Sequence, residues 1–202
     1  MNRNDFFARV SDRPTVELRR IQLAYWLAQN AHRPFHRDSG EPFFEHPRDV
    51  ALSLVNHGFR ETDCVIQGLL HDVIEDTNTP CDVIVDLFGP AIWRSLEVLA
   101  RYAPSFDPVT GQLIGRYKKS PQEYYAGIEA AQSEVKIVKC ADRLHNLQTC
   151  GVWEVARKER YLAETEEYVI PIAKKLPSSY AGELNAVVIE VRTAITAAAI
   201  VA

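Results

Sequence analysis

Four side chains able to bind a cation or move a proton fall within six positions of this sequence. Residues 71–77 read HDVIEDT, which places His71, Asp72, Glu75 and Asp76 together, directly after the apolar run VIQGLL. Carboxylates this close raise each other's pKa unless a positive charge compensates them, and burying them uncompensated is costly. On a helix continued through the cluster, His71 and Glu75 are i,i+4 neighbours, as are Asp72 and Asp76. A divalent metal held by His71 and Asp72 would supply the compensation. Two ligands are too few, and two further residues are candidates. His46, in EPFFEHP, stands before a proline that restricts the backbone at the end of a loop. Asp142, in KIVKCADRLHNLQT, is approached by Ile137, Val138, Cys140 and Ala141, which would bury it. Lys139, Asp142, Asn146 and Thr149 share one polar stripe on that otherwise apolar helix.

Two nitrogens and two carboxylates suit Mn2+, with Zn2+, Fe2+ or Mg2+ as alternatives. Four protein ligands leave positions for water and a phosphate oxygen, and a metal so held acidifies its water. Glu75 and Asp76 are placed to orient or deprotonate that water, or to protonate a leaving oxygen. Each residue also has a plainer reading. His46 could be a surface loop histidine, Asp142 could pair with Arg143, and Glu75 and Asp76 could meet solvent at a helix end.

The elements that must position these residues read as helices. ELRRIQLAYWLAQNAH carries apolar residues at helical spacing. HPRDVALSLVNHG ends at Gly58, suited to the residue just past a helix. ETDCVIQGLLHDVIEDT reads as one helix bearing the cluster. In TPCDVIVDLFG, Thr79 is expected as N-cap with Pro80 in the first turn. Ser120, with Glu123 three residues on, forms a capping box. EVKIVKCADRLHNLQT, VARKERYLAETEEYVIPIAKKL and an apolar C-terminal helix follow. Residues 33–47 and 101–121 read as loops, the second long enough to suspect a functional segment. The expected architecture is one all-α domain.

Composition narrows the function. The chain has 202 residues, 47% hydrophobic and 25% charged, with a formal net charge of −4. Its length suits one sizeable core. An acidic balance argues against a general nucleic-acid grip. Cys64, Cys81, Cys140 and Cys150 form no CxxC pair and fit reduced thiols in a cytoplasmic protein. The polar N-terminus shows no secretory core. Glu190 and Arg192 interrupt the C-terminal apolar stretch, which reads as a packed helix with no membrane role.

Four stretches together resemble a known family. RDSGEPFFEHP, GLLHDVIEDT, DLFGPAI and VKCADRLHNLQT are similar to segments of the HD metal-dependent phosphohydrolases, whose pattern is H…HD…D. More narrowly they resemble the hydrolase domain of RelA/SpoT homologues and the free-standing small alarmone hydrolases. A weaker likeness runs through LAETEEYVIPIAKKL. The resemblance implies a single HD hydrolase domain over 1–202, with a core at roughly 20–176, a C-terminal helix at 178–202 and a metal site between helices. It implies removal of the 3′-pyrophosphate from (p)ppGpp or (p)ppApp, yielding pyrophosphate and a nucleoside 5′-phosphate. By motif position His46, His71, Asp72 and Asp142 match the metal ligands, and Glu75 and Asp76 the catalytic acids. Arg37 matches an arginine packed on the base, and Asn146 a residue contacting the sugar. Arg157 and Tyr161 stand where the following helix carries substrate-binding residues. The expected partner is a small nucleotide, and a homo-oligomer stays open. The chain departs from the family at Asp38, where a second basic residue is usual, and Arg116, Lys118 and Lys119 are candidate replacements for phosphate contact. Two other readings stay open: a nucleotidase of the same fold acting on another phosphate ester, and a metal-binding sensor without turnover.

Overall fold

The helix over Ser133–Gln148 is buried around most of its circumference, so the rest of the chain wraps it. The computed structural model describes residues 3–110 and 112–201. Its helices are α1 (Arg3–Val10), α2 (Thr15–Ala31), α3 (Glu45–Asn56), α4 (Thr62–Leu70), α5 (Val73–Asp76), α6 (Cys81–Phe88) and α7 (Pro90–Leu99). A hairpin follows, β1 (Tyr102–Phe106) and β2 (Leu113–Lys118), then α8 (Pro121–Ala130) and α9 (Ser133–Gln148). Beyond lie α10 (Val155–Glu164), a π-helical turn (Thr165–Val169), α11 (Ile170–Ala173) and α12 (Tyr180–Val201). α9 packs against α3, α4, α7, α8, α11 and α12, burying Val135, Val138, Cys140, Ala141, Leu144 and Leu147. The fold is all-α, and among the described residues its one sheet is the two-stranded hairpin.

α4 is buried at every position from Cys64 to Leu70, because α2, α3, α7 and α9 all lie against it. Gly68 permits the closest of these approaches. A Cβ there would stand 2.7 Å from Leu54 Cδ1 and 3.1 Å from the Ala51 Cα, both on α3. Gly58, at φ +87°, ends α3 as expected. The Ser120 hydroxyl accepts the Glu123 N–H at the start of α8, also as expected.

Four local expectations are corrected. The helix through the HD cluster breaks: α4 stops at Leu70, and α5 begins at Val73 after Asp72 at φ −97°, ψ −8°. Successive helical residues point about 100° apart, so unbroken helix would have turned His71 and Asp72 to different faces. The segment 101–121 is a hairpin, with Tyr102 opposite Lys118. Its turn is set by Asp107, whose carboxylate accepts the N–H groups of Val109 and Thr110 at 2.9 and 2.6 Å. β2 is exposed along its length, so no apolar alternation advertised it. Thr79 does not cap α6; its hydroxyl bonds that of Thr77 at 2.8 Å, and Pro80 takes the cap position. The helix from Val155 is interrupted by the π turn. α1 was not anticipated.

α12 seats Tyr180, Leu184, Val187 and Val188 in the core, and His57 Nε2 bonds Glu183 at 2.8 Å. Among the described residues, no helix is long and apolar enough to cross a membrane. The α3–α4 contact gives a direct test. Gly68→Val drives two branches into Leu54 and Ala51 and is expected to lower the unfolding free energy by about 2–3 kcal/mol, read as a reduced urea midpoint.

Candidate active site

Three helices deliver ligand-type atoms to one point. His46 lies in the first turn of α3, His71 and Asp72 in the break between α4 and α5, and Asp142 in the middle of α9. Ligand atoms of His46, His71 and Asp142 all lie within 4.8 Å of one another, and all three residues are buried. The two Nε2 atoms are 3.2 Å apart. Asp72 Oδ2 stands 3.1 Å from His71 Nε2 and 3.4 Å from His46 Nε2. Asp142 Oδ1 stands 3.2 and 3.7 Å from His46 and His71. The structure brings the four expected ligands together.

The surroundings fix which atoms face inward. His71 Nδ1 donates to the Gly68 carbonyl at 2.9 Å, which leaves Nε2 as the lone-pair atom. His46 Nδ1 shares a 2.8 Å hydrogen bond with His145 Nδ1. Burial, with His46 and Arg37 nearby, pulls His145 down to about 3, so it meets His46 as a neutral ring. Lys139 Nζ holds the other Asp142 oxygen at 2.7 Å, and Asn146 donates to Oδ1. Burial pushes Asp142 upward, but Lys139 and the imidazoles outweigh it and hold this carboxyl well below the usual range. Burial likewise lowers His71, yet Asp72 and Asp142 prevail and raise it well above an ordinary imidazole. The carboxylates thus call for positive charge at His71, whereas burial outweighs Asp142 and Asp72 at His46 and lowers it. Two nitrogens and two carboxylates that draw positive charge fit a divalent cation.

The acidic pair borders this point. Glu75 Oε2 accepts the Arg101 backbone N–H at 2.7 Å. Burial and then the Asp72 charge raise its pKa. Asp76 sits at the exposed rim, where partial burial followed by Asp72 and Glu75 pushes it up to about 8. The Arg116 guanidinium, on β2, donates to the Ile74 and Thr77 carbonyls, so the hairpin grips α5 from behind.

An open cleft of about 290 Å³ leads from the ligands past Arg37, Phe43, Asn146, Trp153 and Arg157. Arg37 Nη2 donates to Asn146 Oδ1 at 2.8 Å and Thr149 Oγ1 at 3.2 Å. Arg157 lies 4.0 Å above the Trp153 ring and pairs with Asp38 at 2.6 Å. Tyr161 faces a second, smaller chamber; its ring lies 3.6 Å beneath Arg143. Asp142 does not pair with Arg143, whose donors reach Tyr125, Thr165 and the Tyr161 carbonyl. Of the basic run, Lys119 donates to the Glu97 carbonyl and Lys118 lies over Tyr102. Arg101, His145, Trp153 and Glu164 were not singled out from sequence. His145 alone carried a signal, as part of the ADRLHN stretch. A larger cavity of about 710 Å³, between α6 and the hairpin, contains none of the ligand residues.

Comparison with known proteins accords with this geometry. Residues 24–105 match the HD domain family. The chain is 32% identical over 166 residues to the GTP pyrophosphokinase rsh of Brucella melitensis, covering 81% of this chain and 21% of that protein. It is 32% identical over 159 residues to the guanosine-3′,5′-bis(diphosphate) 3′-pyrophosphohydrolase of Aquifex aeolicus, covering 77% and 21%. With the bifunctional (p)ppGpp synthase/hydrolase SpoT of Escherichia coli K12 it shares 31% over 167 residues, covering 81% and 22%. The chain thus spans about a fifth of the length of the curated relatives it matches. A solved structure of a metazoan ortholog of SpoT that hydrolyzes ppGpp superposes with a TM-score of 0.68 at 19% identity, covering 87% of this chain and 95% of that one. Residues 24–105 of the chain thus carry an HD-domain match. The relatives it is similar to are named for (p)ppGpp hydrolysis and synthesis.

The raised carboxyls predict a pH effect on the metal-free protein. A carboxyl with a raised folded-state pKa keeps its proton longer in the native state, so stability falls as pH rises from the unfolded value near 3.9 to about 8 for Asp76. Asp76→Asn removes that loss. It is expected to melt a few degrees above wild type at pH 9 in chelator, even if solvent screening leaves only about 1 kcal/mol. The two melting temperatures should converge near pH 4.

Proposed function

We propose that the chain is a metal-dependent pyrophosphohydrolase that removes the 3′-pyrophosphate of (p)ppGpp or (p)ppApp. The products are pyrophosphate and a nucleoside 5′-phosphate. The observation that carries this reading is the meeting of His46, His71 and Asp142 within 4.8 Å, with Asp72 beside them and Glu75 and Asp76 at their border. The names of the relatives include both synthesis and hydrolysis. The acids favour hydrolysis here, because a water must be activated and a leaving oxygen protonated at one place. On this reading residues 1–202 work as one HD hydrolase domain, with residues 20–176 as its core.

His46, His71, Asp72 and Asp142 are the residues that would hold the metal, and their mixed nitrogen and oxygen donors suit Mn2+. Bound there, a divalent ion supplies Lewis acidity toward a phosphate oxygen and a more acidic water. Glu75, oriented by the Arg101 N–H, aligns the attacking water and takes its proton. Asp76, whose pKa burial and then the charges of Asp72 and Glu75 raise to about 8, donates to the departing 3′ oxygen. Arg37 lays its flat, permanently charged guanidinium on the purine, and Asn146, already its partner, meets the ribose. Arg157 and Tyr161 contribute substrate contacts from α10. A stack tolerates either purine, so the base edge must be read by other groups.

The test is incubation of purified protein with Mn2+ and ppGpp, ppApp or deoxynucleoside triphosphates, with products separated by chromatography. Pyrophosphate release from an alarmone is expected, and its absence from both alarmones would overturn the reading. His46→Ala and Asp142→Ala should lose bound metal by elemental analysis. Glu75→Ala and Asp76→Ala should keep it while turnover falls by about 100-fold or more.

Arg37→Ala separates binding from chemistry. Its contact is remote from the phosphorus, so KM should rise roughly 5- to 100-fold with kcat less affected. Steady-state kinetics on the preferred alarmone measure this directly, and an unchanged KM would return Arg37 to a structural role with Asn146 and Thr149.

A further inference from the structure

From sequence, Arg116 is a candidate for phosphate contact. The structure places it elsewhere. It lines neither of the two hollows that border the ligand atoms. It lines instead the cavity of about 710 Å³ between α6 and the hairpin, together with Ile74 of α5. Glu75 and Asp76 of the same short helix line the open cleft. Arg116 therefore meets α5 on the side away from the cleft.

There α5 needs a partner. It is four residues long, and the chain leaves it at Thr77 with φ −124°, ψ 172°. Its own hydrogen bonds serve two carbonyls. Asp72 accepts the Asp76 N–H at 2.9 Å, and Val73 accepts the Thr77 N–H at 3.1 Å and the Thr77 hydroxyl at 2.6 Å. The last carbonyls of a helix find no donor within it, and here another element supplies one. Arg116 Nε donates to the Ile74 carbonyl at 3.4 Å, and Nη2 donates to the Thr77 carbonyl. Ile74 and Thr77 are the residues directly before and directly after the acidic pair. One planar, rigid guanidinium thus spans both flanks of the pair. The Arg101 N–H holds the Glu75 carboxylate itself; Arg116 holds the backbone that carries both acids.

We propose that Arg116 is a positioning residue for the acidic pair: from behind α5 it fixes the backbone from which Glu75 and Asp76 reach toward the ligand atoms. The proposal rests on the hydrolase reading above. Arg116 itself touches neither substrate nor metal, because α5 stands between it and the cleft. Displacing a proton-transfer group by about 1 Å can cost on the order of 100-fold in rate. Loss of the guanidinium therefore lowers turnover and leaves substrate and metal binding intact. Lysine keeps the charge but carries all its donors on one nitrogen, so it cannot span the two carbonyls in the same geometry.

The experiment compares wild type, Arg116→Gln and Arg116→Lys in three measurements: steady-state kinetics with Mn2+ on the preferred alarmone, bound metal by elemental analysis, and amide hydrogen exchange of the metal-free protein. β2 is exposed along its length, so both variants are expected to fold. In Arg116→Gln, kcat should fall about 10- to 100-fold, while KM and bound metal stay within about twofold. Arg116→Lys should lie nearer to Arg116→Gln than to wild type. The Asp76 and Thr77 amides, hydrogen-bonded within α5, should exchange about tenfold faster in both variants, with α4 and α9 unchanged. A raised KM at unchanged kcat, restored by lysine, would make Arg116 a phosphate contact and overturn the proposal. Unaltered exchange at Asp76 and Thr77, or full kcat in Arg116→Gln, would overturn it as well. Exchange is read without turnover. If wild type leaves both alarmones intact while the variants exchange faster, Arg116 keeps its hold on α5 and the hydrolase reading alone falls.

Discussion

Two imidazoles and two carboxylates converge where α3, the α4–α5 break and α9 meet, and that concentration of negative charge must be answered by positive charge. Much of the fold follows from this. Lys139 is placed one turn before Asp142 so that one carboxylate oxygen is answered inside the protein. Asn146 and His145, on the same helix, hold the Oδ1 of Asp142 and the outer nitrogen of His46. α4 is buried on every side from Cys64 to Leu70, which carries His71 and Asp72 to the centre of the bundle. Its Gly68 lets α3 come close enough for His46 to reach them. Burial makes each interaction stronger than it would be in water, and makes an unanswered charge correspondingly worse.

Much of this site was legible in the sequence because its residues lie in short, dense stretches. His71, Asp72, Glu75 and Asp76 share one turn and a half, and Lys139, Asp142 and Asn146 share one helical stripe. The all-α fold was legible for a related reason, since apolar periodicity persists along each long helix. What escaped was non-local or exposed. Arg101 reaches Glu164 across 63 positions, and neither sits in a pattern that announces the other. The hairpin is solvated on both faces of β2, so its strands lack the alternation that burial imposes. The break after Leu70 is invisible to periodicity, because apolar residues stand on both sides of it, Leu69 and Leu70 before and Val73 and Ile74 after. The π turn at Thr165 is stabilised by a tertiary partner: Arg143 reaches the Tyr161 carbonyl and the Thr165 hydroxyl.

The departure at Asp38 has a local explanation. Its carboxylate pairs with Arg157, which in turn lies on Trp153. The loop between α2 and α3 is thereby tied to α10 across the mouth of the cleft. Charge that a basic residue would have contributed at this position is exchanged for a fixed orientation of Arg157. Both partners are about half exposed, at 55% and 49% of their side chains, so the tie is weak by the standard of surface ion pairs. A polyanion approaching Arg157 competes with it directly.

The acidic pair and the ligand atoms depend on different parts of the chain. His46 and Asp142 sit on long helices in the centre of the core, whereas Glu75 and Asp76 belong to α5, four residues long. A helix that short has no stability of its own. It is held through the Glu75 carboxylate by the Arg101 N–H, just before the hairpin, and through the Ile74 and Thr77 carbonyls by the Arg116 guanidinium of β2. Hydrogen exchange in proteins follows cooperative units of unequal stability, and here the dividing line runs through the candidate site. Amides of α5 and the hairpin are therefore expected to exchange at lower free energy than those of α4 and α9. A local fluctuation of α5 would therefore displace Glu75 and Asp76 while His46, His71 and Asp142 stay in place.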